Sequence, residues 1–310
     1  MSSQPITKAI AAVREAAAGA AWSQWGAIFT PAAGRRPARA IVDPEALLLA
    51  SLVLSGHEPR LWRVARLWAR DGARLLSVQR VKNLARRFPN SVAERLGEFA
   101  LLAMDDGGDL RWRSLAADST QTKPPGRRET RANPLLEGGP ALMLRLRLGL
   151  GVGIKPDVVS HLVGRAGGGA TVQQIAAGIQ YYGRAVRRAI EDLAASGFIE
   201  ARSTSPESYR VDLGKWANLL AIDVDEPPAW RSWAGLYAFV AALEAWASGP
   251  KPDSAFVLAS EARDLALQHA ATLESAGVRV SSLSRHRGEA YLEPFGKALR
   301  DLARFLDSVV

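Results

Sequence analysis

The spacing of apolar residues along the chain predicts a mostly helical protein. From residue 5 to 105, apolar side chains recur three or four positions apart, with breaks near residues 31–37, 56 and 72 that contain proline or glycine. This period is that of helices that bury one face. Asp43 before Pro44 is a typical helix start, since aspartate caps free amides and proline fits the first turn. The pattern predicts helices at about 5–26, 44–55, 59–71, 76–87 and 91–104.

The remaining apolar pattern predicts further helices and a few short strands. Residues 111–115 and 277–281 favour strands, and the leucines at 144–150 alternate with polar residues and glycine, which fits a strand or the end of a helix. Beyond residue 228 a helical period returns, with one apolar face over residues 233–247 and two more helices predicted at 254–276 and 294–310.

Composition shifts divide the chain into four regions. Residues 118–140 are rich in proline, glycine and polar side chains, which predicts a linker or exposed loop. We therefore expect an N-terminal helical domain at 1–117, a central domain at 141–214 and a C-terminal helical region at 215–310. The apolar stripes of that last region make it the candidate for dimerisation. The linker carries a basic cluster, equally consistent with solvated charge, made of Lys123, Arg127, Arg128 and Arg131.

Residues 171–213 hold the most specific pattern of the sequence. Thr171 and Gln174 have the spacing of a capping box, and a turn is predicted at 178–180. The next helix buries one stripe and turns its arginines to the opposite side. Gly197 then suits a left-handed helix end. A hairpin follows at 198–202 and 208–213, with residues 203–207 at its tip and Tyr209, Val211 and Leu213 alternating toward the core.

This stretch resembles the winged helix-turn-helix transcriptional regulators of bacteria and archaea, in the broad MarR, ArsR and GntR style. The resemblance covers about 141–214 and rests on Ile175-Ala176, on RAVRRAIEDL at 184–193 and on Ser196-Gly197-Phe198-Ile199. Such families have glycine in the turn and serine or threonine at the start of the second helix. Here those positions hold Gln180 and Tyr182, and Tyr181 takes the usually apolar inward position.

The resemblance implies a role in DNA binding for each polar position. Arginines of the second helix would enter the major groove, the hairpin would contact phosphate or the minor groove, and the start of the first helix would fix register on a phosphate. Tyr182 would lie near the DNA backbone. The implied residues are Thr171, Gln173, Tyr182, Arg184, Arg187, Arg188, Arg202 and Arg210. Winged helices also serve as dimer or protein-binding modules.

Charge adds a second candidate surface. The formal net charge is +9, and residues 60–95 alone hold ten basic side chains and two acidic ones. This is the direction expected of a polyanion binder, although a solvated basic face is the alternative. Residues 59–87 form a possible second, degenerate helix-turn-helix in which Ser77 caps a helix. That helix would expose Gln79 and present Arg80, Asn83 and Arg87 to DNA.

Several classes of function have no support in the sequence. The chain has no cysteine, and a P-loop, a G-x-S-x-G elbow and an H-E-x-x-H motif are all missing. The four histidines are scattered, which suggests surface groups and no metal site. The apolar runs are too short to span a bilayer. We therefore expect a soluble, cytoplasmic protein that is not an enzyme and carries neither cofactor nor metal.

The sequence thus favours sequence-specific binding to double-stranded DNA by a homodimeric transcriptional regulator, most simply a repressor. A small-molecule effector is compatible, with Trp230, Trp233 and Tyr237 as the candidate pocket. The alternative is a protein-interaction component, such as an antitoxin-like or defence-system partner, whose winged helix contacts protein or binds DNA without specificity.

Overall fold

The computed structural model describes residues 4–29, 38–117, 133–250, 252 and 254–309. Over these residues the protein is mainly helical with one two-stranded antiparallel sheet, as predicted. The helices before residue 120 are α1 (Gln4–Ile28), α2 (Pro44–Leu54), α3 (Pro59–Asp71), α4 (Val78–Ala85), α5 (Val92–Asp105) and α6 (Arg113–Ala116). Those from 140 to 222 are α7 (Leu142–Leu150), α8 (Ile154–Val163), α9 (Val172–Ile179), α10 (Gly183–Ala195) and α11 (Leu213–Leu220). The last are α12 (Trp233–Ser248), α13 (Ala255–Gln268), α14 (Ala270–Ser275), α15 (Val280–Leu283) and α16 (Leu292–Ser308), and the strands are β1 (Glu200–Arg202) and β2 (Ser208–Arg210).

Local capping chemistry accounts for several helix starts. The carboxylate of Asp43 accepts a hydrogen bond from the amide of Ala46 at 3.1 Å, so it satisfies a free donor at the start of α2. The hydroxyl of Ser77 does the same for the amide of Arg80 at 3.3 Å in α4. These starts agree with the sequence prediction.

Two predicted strands and one predicted helix differ in the structure. Residues 111–115 form a short 3-10 helix followed by α6, and residues 280–281 begin α15. The predicted helix at 254–276 is interrupted at His269, which separates α13 from α14. In both strands, apolar alternation was too short to outweigh the burial of a helical face. Residues 144–150 form the end of α7, which is the second of the two predicted alternatives. The predicted basic cluster of the linker lies outside the described residues.

The N-terminal and C-terminal helices share one large hydrophobic core. Helix α1 packs along α16, and α2 packs against α12. Buried residues from both ends of the sequence, such as Leu48, Trp68, Phe239 and Leu302, belong to the same cluster. The apolar stripes of α12 and α16 are therefore covered within the chain. Dimerisation through residues 215–310 stays a prediction, and these two stripes do not provide its surface.

A smaller core lies under the central segment. Helices α8, α9 and α10 pack on one another, and α7 and α11 complete the cluster. Ile41, from the start of the chain, also belongs to this cluster, and its amide donates to the carbonyl of Ala229 at 3.0 Å. The two cores therefore meet along this segment without a gap.

Some side chains predicted to be exposed are buried. His161 and His269 are 3% and 8% exposed, so the prediction that the histidines are surface groups is wrong for these two. The rings of Trp233 and Tyr237, proposed as part of an effector pocket, stack on each other in the large core at a centroid distance of 5.6 Å.

Candidate nucleic-acid interface

The segment before α10 is held by a capping box and a left-handed residue. The hydroxyl of Thr171 accepts from the amide of Gln174 at 3.2 Å, and the side-chain oxygen of Gln174 accepts from the amide of Thr171 at 3.0 Å. This is the predicted reciprocal arrangement, and it fixes the start of α9. Helix α9 ends at Ile179 and is followed by Gln180, whose φ of 58° is left-handed. The turn to α10 therefore lies at 180–182, two residues later than predicted.

Helix α10 separates an apolar face from a basic one. Val186, Ile190 and Leu193 are at most 2% exposed and pack in the smaller core. The side chains on the other face are exposed, and the arginines among them are Arg184, Arg187 and Arg188. Tyr182, just before the helix, is 71% exposed, and its side chain does not cap the helix. The predicted orientation of this helix is confirmed.

The hairpin packs back on the segment that precedes α9. In the sheet, Glu200 pairs with Arg210 and Ala201 pairs with Tyr209. The backbone of Tyr209 also exchanges two hydrogen bonds of 2.9 Å with Ala170. These bonds fix the hairpin beside α9. The tip at 203–207 is exposed, as are Arg202 and Arg210 in the two strands.

The two hairpin arginines differ in their partners. The guanidinium of Arg210 donates to the carboxylate of Glu200 at 2.8 Å across the strands. Such an exposed pair stabilises the fold by about 1 kcal/mol at most, so a phosphate can compete for the arginine. Arg202 lies at the end of β1 and is exposed.

A groove of about 890 Å³ lies between α9, α10 and α4. It brings together predicted residues from two separate regions of the sequence, and none of the residues that line it is acidic. The polar side chains in its wall are Asn83, Gln173, Gln180, Tyr181, Tyr182, Arg184 and Arg187. Gln180 was not among the predicted site residues, although its unusual place in the turn was visible in the sequence. Arg188, Thr171 and the hairpin arginines lie outside the groove wall.

Helix α4 reaches the groove through its C-terminal half. The guanidinium of Arg87 donates to the side-chain oxygen of Gln180, which links α4 to the turn before α10. Burial lowers the pKa of Arg87 from its ordinary value, and the group stays charged at neutral pH. The side-chain oxygen of Asn83 accepts from Gln79 at 3.1 Å. Asn83 therefore lines the groove beside α10, and Arg87 contacts a residue of its wall. The sequence predicted both residues on a separate helix-turn-helix and gave no sign that they lie next to α10.

Arg80 does not reach the surface, and its prediction as a DNA contact is wrong. Its side chain is fully buried. Its guanidinium donates to both oxygens of Asp43 at 2.5 and 2.6 Å and to Glu45 at 2.6 Å. A further bond of 3.0 Å runs to the carbonyl of Ile179, at the end of α9. Helix α4 packs on α2. A second helix-turn-helix at 59–87 stays a prediction, but Arg80 is not one of its exposed residues.

The Arg80 cluster belongs to a larger buried network of charges. The guanidinium of Arg147 on α7 donates to Glu45 at 2.6 and 3.0 Å and to Asp157 on α8 at 2.9 Å. The hydroxyl of Tyr181 donates to Asp157 at 3.0 Å. Side chains from α2, α4, α7, α8 and the turn before α10 therefore meet at one place.

Charge balance within the network sets the protonation of its members. Burial alone would raise the pKa of Glu45, but the charges of Arg147 and Arg80 outweigh it and lower this pKa to about 2. Burial also opposes the charged form of Arg80, yet the carboxylates around it raise its pKa well above the ordinary value. For Asp157, burial dominates and raises the pKa despite Arg147. Two guanidiniums thus face three carboxyl groups, so the network holds its arginines firmly.

The buried ring of His161 packs closely against α9. The ring of His161 lies at 5.0 Å from the ring of Trp230, and a Cβ at Gly178 would lie 2.3 Å from its Cε1 atom. Only glycine therefore fits at position 178 of α9. Burial, with a smaller effect of Arg165, lowers the pKa of His161 to about 3, so the ring is neutral at neutral pH.

The described part of the chain offers neither a metal cluster nor a helix able to cross a membrane. Residues 4–29, 38–117, 133–250, 252 and 254–309 contain no group of three metal-binding side chains. None of the helices formed by these residues combines the length and the apolar character that crossing a bilayer requires. No protein-family model, curated protein or solved structure matches the chain.

Proposed function

We propose that this protein binds double-stranded DNA sequence-specifically through a winged helix-turn-helix and acts as a transcriptional regulator. The observation that carries the proposal is the groove beside α10, with arginines on its wall and no acidic residue among those that line it. The chain order of α8, α9, α10 and the β1–β2 hairpin is the order of a winged helix. In this arrangement the second helix of the pair enters the major groove.

The proposed roles follow from exposure and charge. Arg184, Arg187 and Arg188 are exposed on α10 opposite its buried stripe, so they can reach base edges or phosphates without disturbing the core. Arginine pairs bidentately with guanine in the major groove. Gln173 and Tyr182, at the start of the two helices, are placed to contact the DNA backbone beside it.

The hairpin and α4 would extend the contact on either side of α10. Arg202 and Arg210 on the hairpin are exposed, and a phosphate can displace Glu200 from Arg210. Asn83 lines the groove from the opposite side, and Arg87 lies next to it against Gln180. A homodimer would double the number of half-sites and raise affinity accordingly. The surface that would join the two copies is not the apolar face of α12 or α16, because both are covered.

The test is selection of preferred sequences from genomic fragments, followed by binding measurements across a salt series. We expect one or a few preferred sites and an affinity that falls steeply with salt. In the double variant Arg184→Ala/Arg187→Ala, affinity for the selected site should fall at least about 30-fold, since two guanine contacts are worth roughly 2–6 kcal/mol.

The matched control is the triple variant Lys297→Ala/Arg300→Ala/Arg304→Ala on α16, whose side chains are exposed on another helix. It lowers the net charge of the protein by three, against two for the α10 double variant, and should bind the selected site nearly as well as the wild type. Binding without preference for any fragment, or equal losses in both variants, would refute the proposal.

A further inference from the structure

The exposed surface of α4 is also positively charged on the part that lies farther from the groove. Arg80, Val81 and Leu84 form the buried face of this helix. At 100° per residue, Asn83 lies on the side toward the groove and Lys82 on the side away from it. Arg86 follows the helix directly and is exposed. The exposed surface of α4 thus extends from the groove wall to a second basic region.

Helix α6 lies against that second basic region. The ammonium group of Lys82 donates to the hydroxyl of Ser114 at 2.6 Å. Arg113, next to Ser114, is exposed. We call Lys82, Arg86 and Arg113 the basic ridge. The ridge adjoins the groove, because Arg87, the residue after Arg86, contacts Gln180 in the groove wall.

The width of α4 sets the distance between the ridge and the groove. Asn83 and Lys82 lie 100° apart on a helix about 10–12 Å across, so roughly 8–9 Å separate the groove wall from the ridge, which matches about two to three base pairs of duplex at about 3.4 Å each. A duplex with α10 in its major groove would therefore extend past α4 and bring flanking phosphates over the ridge. Lysine and arginine that contact only phosphates add affinity and register but do not read sequence.

We propose that the basic ridge is a second DNA contact, which binds the phosphates of the duplex that flanks the sequence bound by α10. This inference rests on the proposed function, since α10 places the duplex. It assigns a role to Lys82, Arg86 and Arg113. The ridge makes affinity depend on the length of the flanking DNA and leaves base preference to α10.

The experiment compares two duplexes that share the sequence selected by the wild type. One carries only the core site of about 12 base pairs, and the other adds about 8 base pairs of arbitrary sequence on each side. The variant is Lys82→Gln/Arg86→Gln/Arg113→Gln, in which glutamine at 82 keeps a donor for Ser114. The matched control is Lys297→Gln/Arg300→Gln/Arg304→Gln on α16, which removes the same charge.

We expect the ridge variant to lose affinity for the extended duplex only. The slope of log affinity against log salt should become shallower by about 2.7, at about 0.9 for each lost phosphate contact. Over the tenfold range from 1 M to 0.1 M salt, a slope difference of about 2.7 changes the ratio of wild-type to variant affinity by at most roughly 500-fold. Binding to the core duplex should stay within about twofold, and the ranking of mutated core sites should not change.

The outcomes separate this inference from the proposed function. Three results would refute the ridge proposal while leaving DNA binding by α10 intact. They are an unchanged affinity of the ridge variant for the extended duplex, equal losses of its affinity for both duplexes, and an equal loss of affinity in the α16 control. If the wild type prefers no sequence and the α10 double variant binds like the wild type, both proposals fail together.

Discussion

Replacement of Arg80 by methionine tests the buried network and separates it from a surface role. The guanidinium makes four hydrogen bonds, three of them to the carboxylates of Asp43 and Glu45, which are 1% and 0% exposed. Methionine fills similar space but leaves these acceptors buried without the cation. Removal of one partner from a buried ion pair typically costs about 3–5 kcal/mol, and we expect a loss of stability in this range.

The assay is urea unfolding followed by tryptophan fluorescence, which the nine tryptophans make sensitive. The matched control is Arg304→Met, because Arg304 pairs with Asp301 on the surface and 78% of its side chain is exposed. An exposed pair contributes about 1 kcal/mol or less, so the control should unfold near the wild-type midpoint. A loss of 3–5 kcal/mol is a large part of the 5–15 kcal/mol typical of folded proteins.

The pH dependence of the Arg80→Met variant gives a second, independent readout. The lowered pKa of Glu45 contributes stability above its unfolded value near 4.5, and this contribution is lost as pH falls toward 2. Without Arg80 the folded-state pKa of Glu45 rises, so the variant binds a proton more readily at mildly acidic pH. The difference in unfolding free energy between wild type and variant should therefore be smaller at pH 5 than at pH 7.5.

A different pattern would refute this reasoning about Arg80. If Arg80→Met unfolded within about 1 kcal/mol of the wild type, the guanidinium would not carry the buried network. If the same variant also lowered the salt slope of DNA binding, Arg80 would act as a phosphate contact, as its sequence context first suggested. We expect Arg80→Met to lower the free energy of unfolding and to leave unchanged the salt dependence of DNA binding by the folded protein.

Three further predictions concern the support of α9 and α10. Gly178→Ala should destabilise the fold by about 1–3 kcal/mol because the new Cβ meets the ring of His161, whereas Gly183→Ala, with nothing within 4 Å, should be neutral or slightly stabilising in the same urea assay. Thr171→Ala should lower stability by about 1 kcal/mol through loss of the cap of α9, and an unchanged midpoint would contradict that role. Stability should decline as pH falls below about 6.5, because the unfolded state protonates His161 while the folded state resists until about pH 3; His161→Gln should flatten this decline between pH 6.5 and 5.

Periodicity was sufficient to predict the elements that bury one simple face. In α10 the spacing of Val186, Ile190 and Leu193 fixed which side is buried, and this placed the arginines on the exposed side. The cap at Thr171 was equally predictable, since its two partners lie three residues apart. Both features depend only on neighbours in the sequence.

The buried arginines show where such local reasoning ends. Arg80 lies four residues before the buried Leu84, so helical spacing already put it on the apolar face of α4. Its positive charge argued for exposure, because an isolated cation is rarely buried. The deciding partners, Asp43 and Glu45, lie far away in sequence, and their approach depends on how α2 and α4 pack. The same limit applies to α12, since an apolar stripe shows that a helix is covered but not what covers it.

The two faces of α4 explain how the candidate interface is assembled. Its buried face carries Arg80, which bonds to the carbonyl of Ile179 at the end of α9, so the network fixes the turn before α10. Its other side places Asn83 in the groove wall beside that same turn, and Arg87, just after the helix, contacts Gln180 of the turn. A shift of α4 would thus move part of the groove wall and strain the turn at once. The charge on and just after α4 therefore lies in two places. Arg80 holds the turn before α10 from the buried side, while Asn83 and Arg87 lie at the candidate interface.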